Sequence, residues 1–203
     1  MRASALALTL CLASSTASAQ AVDLTRPEPA MSALTDVRLS LEVERREAGV
    51  VLVFEGLLSL VAGGLVAGFG NADPFWLSFG VGTAGWGAVN AALAIAMLDL
   101  DDQRQRAVEA ERGLRYDDVD RARAAAIRQQ EGAATLFAFN AGLDVFYLAT
   151  GVLLFVLADQ LTGPDEPDLL RGYAVAQLGQ GGFLLVFDLV EWIASNGRAA
   201  RLR

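Results

Sequence analysis

The chain contains no histidine and no lysine, and its single cysteine, Cys11, lies near the N-terminus. The absence of imidazole removes the side chain that ordinarily titrates near neutrality, together with the commonest metal ligand and general base. Beyond residue 11 there can be no disulfide, thiolate metal site or cysteine nucleophile. Any chemistry would fall to Asp, Glu, Tyr, Ser or Thr. All 16 basic residues are arginine, against 24 acidic ones, for a net charge of −8. That balance speaks against nucleic acid as a partner, because little here could neutralise a run of phosphates.

What the chain does have is apolar length: 54% of its residues are hydrophobic. Residues 1–19 read as a signal peptide, with Arg2 as the n-region, Ala3 to Ala13 as the h-region and Ala17-Ser18-Ala19 as the cleavage site. Cys11 follows Leu10, where a lipoprotein signal would need a small residue, so no lipid anchor is expected. Residues 20–47 form a linker and an amphipathic juxtamembrane helix with Leu34, Val37 and Leu41 on its apolar stripe. Four apolar spans follow, near 48–70, 74–98, 133–158 and 172–194. At about 1.5 Å per residue each can cross a ~30 Å hydrocarbon core. They form two hairpins, 48–98 and 132–194, separated by a charged helical linker, 99–131, and followed by an Arg-rich tail, 195–203. The expected fold is all-α: a polytopic, four-helix transmembrane bundle with juxtamembrane helices on one side.

Each span carries one polar stripe at helical spacing. The stripes are Glu55 and Ser59; Thr83, Trp86 and Asn90; Asn140, Asp144, Tyr147 and Gly151; and Gln177, Gly181, Leu184, Asp188 and Glu191. Polar groups in such spans are costly and usually face a protein interior or a cavity. Counted from the linker side, Glu55, Asn90, Asn140, Asp144 and Asp188 all fall ~9–17 Å deep, within one leaflet. Glu55, Asn90, Asn140, Asp144, Tyr147, Gln180, Asp188 and Glu191 are therefore the candidate ligand- or ion-binding residues. No catalytic residue, metal site or cofactor is assigned. The sequence places no cation among the four carboxylates. They can be protonated and hydrogen-bonded, Glu191 can reach Arg104 or Arg128, or the group can bind a proton or metal cation. Gly56, Gly63 and Gly64 in span one, Gly80, Gly82, Gly85 and Gly87 in span two, and Gly179, Gly181 and Gly182 in span four permit close helix approach.

The segments WGAVN (86–90), FNAGLDVFYLATGVLL (139–154) and LLRGYAVAQLGQGGFLLVFDLVEW (169–192) carry a resemblance. They resemble a family of small bacterial membrane proteins with a signal peptide and four spans, labelled as a domain of unknown function. The resemblance implies architecture and membrane location; it carries no activity. The leading expectation is a non-enzymatic, structural or accessory inner-membrane protein with a buried polar layer. Its partners are the lipid bilayer and a homo-oligomer or larger membrane complex. The alternatives are a small oligomeric cation- or proton-coupled permease or binding protein, and an intramembrane aspartyl hydrolase using Asp144 and Asp188. A cleaved signal puts the mature N-terminus in the periplasm. The Arg-rich linker and tail then oppose the positive-inside rule.

Overall fold

The computed structural model describes residues 27–98, 100, 103–110 and 116–203. The signal peptide expected at 1–19 lies outside them. The described elements are helical throughout: α1 (Pro27–Phe69), α2 (Pro74–Leu98), α3 (Gln103–Ala110), α4 (Tyr116–Leu157), a 3₁₀ turn (Ala158–Gln160) and α5 (Glu166–Leu202).

Three of these helices are far longer than a membrane is thick. The 43 residues of α1 extend about 65 Å, roughly twice a hydrocarbon core. The prolines of α1 lie in its first turn, and α4 has none. Nothing therefore breaks the helix where charged sequence passes into apolar sequence. The amphipathic stretch 32–47 continues directly into the first span, and 116–131 continues into the third. The result is a bundle with a charged half and an apolar half.

Among the described residues, three helices are long and apolar enough to cross a membrane: Met31–Phe69, Val119–Gln160 and Glu166–Leu202. The sequence reading expected four. The helix not among them is α2, of 25 residues and without a charged side chain. Apolar exposure is heavy along the apolar half. Phe69 is 88% exposed and Ile193 65%, which water would penalise and lipid would not.

Local chemistry sets the turns. Gly70 N–H donates to Val66 C=O at 2.8 Å and closes α1. Asp73 Oδ1 accepts the Phe75 N–H at 2.9 Å, with Pro74 as the first helical residue, a favoured pair at a helix start. Opposite, Pro167 enters the first turn of α5 with Glu166 and Asp168, whose charges suit the positive helix N-terminus.

The charged half is a three-helix bundle of α1, α4 and the end of α5. Its core is Met31, Leu34, Leu41, Val119, Ala122, Ala126 and Leu202. Leu34 and Leu41, read from sequence as an apolar stripe, are both in it. Around this core Arg201 holds both oxygens of Glu44 at 2.9 and 2.6 Å, and Arg203 meets Glu131 at 2.5 Å.

In the apolar half α1 and α2 run antiparallel, α4 and α5 likewise, and α2 packs on α5. Backbones set the α1–α2 approach. A Cβ on Gly56 would lie 2.6 Å from Ala91 N and 2.8 Å from Gly87 O, and one on Gly87 would lie 2.5 Å from Gly56 O. Seven residues away, Gly63 and Gly80 oppose each other in the same manner. Only glycine lets helices close this far. Other glycines singled out from the sequence, Gly64, Gly85, Gly179 and Gly182, have nothing within 4 Å of the Cβ position. They take no part in packing within the chain.

Candidate functional site

The polar stripes meet in two connected groups inside the apolar half. The first is a closed quartet from α1, α2 and α5. Ser59 Oγ donates to Glu55 Oε1 at 2.6 Å, and Asn90 Nδ2 donates to Glu55 Oε2 at 2.7 Å. The same amide donates to Gln180 Oε1 at 3.2 Å, and Gln180 Nε2 returns to Ser59 Oγ at 2.8 Å. Asn90 is fully buried, at 0% exposure. Each oxygen of Glu55 thus receives one neutral donor, and no cation is required beside it.

The second group joins α4 to α5. The side chains of Asp144 and Asp188 lie within hydrogen-bonding reach of each other, and both residues are buried. One helical turn above, Gln177 Nε2 donates to the Tyr147 C=O at 2.9 Å. The Tyr147 ring meets Trp86 edge-on, with centroids 5.1 Å apart, so α2 touches α4 here. Below, Phe137, Phe183 and Phe187 close the interior; the Phe137–Phe187 pair is edge-on at 6.3 Å.

Glu191 belongs to neither group. Its partner is Arg198, seven residues further along α5, at 3.0 Å, and not Arg104 or Arg128 as the sequence suggested. Arg198 is only 4% exposed. It also donates to Gln130 Oε1 at 3.1 Å and Ser195 Oγ at 2.7 Å, and it lies 3.8 Å from Glu44. This node ties α1, α4 and α5 together where the two halves of the bundle meet. Arg198, Ser195, Gln130 and Glu44 were missed in the sequence reading, which treated 195–203 as a tail. Their signal was the spacing Glu191, Ser195, Arg198, which places all three on one helix face.

Of the eight candidate residues, Glu55, Asn90 and Gln180 therefore share the quartet, and Asp144 with Asp188 form the pair. Tyr147 contributes its backbone carbonyl and ring, and Glu191 lies in the arginine node. Asn140 is half-buried, and no hydrogen bond joins it to either group. Among the described residues no three of His, Cys, Asp and Glu converge as metal ligands would. Two acceptor oxygens remain without a donor although fully buried: Asn90 Oδ1 and Asp144 Oδ2. The layer is short of hydrogens, not of acceptors. A surface groove lined by Leu39, Glu42, Val43, Arg46 and Gln105 lies in the charged half, away from this layer.

A search of curated proteins and a search of solved structures each returned no match. One family model does match, over residues 51–189. That range takes in α2, the apolar half of α1, all of α4 and every member of the quartet and of the aspartate pair, but it stops short of Arg198. The chain belongs to the family of unknown function DUF6992.

Proposed function

We propose that this is a non-enzymatic integral membrane protein of four spans, a structural or accessory subunit whose polar layer fixes the packing of its helices. The observation that carries this is the closed quartet, in which the only charged member, Glu55, has both oxygens satisfied by neutral donors. A quartet whose donors and single carboxylate answer one another specifies helix register and leaves little for substrate to bind. In a membrane such side-chain hydrogen bonds are worth about 1 kcal/mol each, enough to choose one arrangement among several.

Four crossings are supported by chain geometry. The charged ends of α1, α4 and α5 share one core, so they lie on one side of any membrane the apolar half spans. To leave α1 at Phe69 and start α4 on the charged side, the chain must cross back. Helix α2 is the described element long enough to do so, and it packs along α1 from Gly70 beside Trp76 to Gly49 beside Met97. Reading residues 1–19 as a cleaved signal peptide supports a mature N-terminus and charged half in the periplasm of a bacterial inner membrane. Reporter fusions at Gly113 test that orientation.

The direct test is native mass spectrometry of the detergent-extracted protein, beside alkaline carbonate washing of membranes. An apo oligomer that dissociates in Asn90→Ala supports the structural role. A small molecule retained by the wild type and lost in the variant would replace that role with a binding one, and release by carbonate would end the membrane reading.

A further inference from the structure

Of the four carboxyl residues in the apolar spans, Glu55 is satisfied by two donors and Glu191 by an arginine. Asp144 and Asp188 have only each other. Two buried carboxyl groups in reach of each other can hydrogen-bond only if they share a proton, and as two ionised carboxylates they would repel in a medium that screens little. We propose that the Asp144–Asp188 pair is a proton-binding site, and that one proton held between the two carboxyl groups is the ligand joining α4 to α5. Uptake transfers a proton from hydronium to one carboxylate oxygen and releases water; no other bond changes.

The surroundings fit a proton better than a metal ion. Helix α2 brings no charged residue at all. On α1, Glu55 is bound within the quartet. On α5, Glu191 lies one turn below Asp188 and adds negative charge, but it is held by Arg198. On α4, Tyr147 lies one turn above Asp144, its carbonyl taken by Gln177. Two carboxylates with no third acidic or imidazole ligand among the described residues make a poor site for a divalent cation. The donorless Asp144 Oδ2 further shows that what this place lacks is hydrogen.

The inference rests on the membrane reading above, and its test separates the two. Full-length protein in phosphatidylcholine liposomes is titrated by infrared difference spectroscopy, following the C=O stretch of protonated carboxyl groups. The variants are Asp144→Asn, Asp188→Asn and the double variant. An asparagine amide supplies the hydrogen that the shared proton supplied, so the single variants retain the fold. The expected result is a carboxylic-acid band in the wild type that is lost on raising the pH and absent from the double variant. Each single variant should shift or remove that band. A wild type whose spectrum matches the double variant at every pH overturns the proton site. If that protein also resists carbonate extraction, the membrane reading stands without it. A divalent-cation dependence of the same band would assign the pair to a metal instead, and equally overturn the proposal.

Discussion

Gly87→Ala offers a sharp test of how the first hairpin is held. The added Cβ would sit 2.5 Å from the carbonyl oxygen of Gly56 and closer still to Leu60 N. An ordinary C···O contact is ~3.3 Å, so α1 and α2 must part by about 0.8 Å at this turn. A gap of that size forfeits a quarter to a half of each dispersion contact across it. It also reaches the quartet, because Asn90 is three residues away. Its 2.7 Å bond to Glu55 would open to about 3.5 Å, beyond useful hydrogen-bonding distance. Overpacking of this kind costs about 1–3 kcal/mol, and the strained hydrogen bond adds about 1 kcal/mol. The assay is reversible unfolding of the detergent-solubilised protein, with Gly85→Ala on the same helix as control. A Cβ there meets nothing within 4 Å, so alanine should be neutral or gain up to about 1 kcal/mol of helix propensity. If Gly87→Ala and Gly85→Ala unfold alike, the backbone clamp inferred between α1 and α2 is not what holds them.

Other outcomes are expected elsewhere. Arg198→Met leaves Glu191 buried without its cation and should cost about 3–5 kcal/mol. Adding Glu191→Gln should recover much of the loss in a thermal-melt cycle. Leu41→Ala opens the charged-half core and should cost about 2–5 kcal/mol. Hydrogen exchange should rise in 31–45 and 119–127 before it rises in the apolar half. Thr35, fully buried, has a hydroxyl with no hydrogen-bond partner. Thr35→Val should therefore raise the melting temperature, since an unsatisfied buried polar group costs about 1–3 kcal/mol. A fall would mean that this hydroxyl has a partner in solution.

The sequence made most of the helices legible, because apolar runs of more than twenty residues and one polar stripe per run are strong signals. It also made Asp144 and Asp188 legible as members of one layer, since depth follows from residue count at fixed rise. Pairing was harder to read. Glu55 finds Asn90 and not Asp144 because the glycine faces of α1 and α2 seat against each other, and which glycines do so depends on helix rotation. Gly64 and Gly63 are neighbours, yet only Gly63 lies at the interface. The cation for Glu191 stayed hidden for a different reason. The sequence reads 195–203 as an Arg-rich tail beyond the last span, whereas α5 continues to Leu202 and carries Arg198 into the interior.

The order of synthesis gives the quartet a further meaning. Glu55 and Asn90 are 35 positions apart, whereas Ser59 waits for Gln180, 121 positions on. Once the first hairpin has formed, the carboxylate of Glu55 already has its two donors from Ser59 and Asn90. The nascent chain can therefore hold that charge in lipid while the second hairpin is still being made. Gln180 arrives last and locks a pair that no longer needs rescue. The first hairpin thus holds both donors that its own carboxylate needs, and Gln180 of the second adds two further hydrogen bonds.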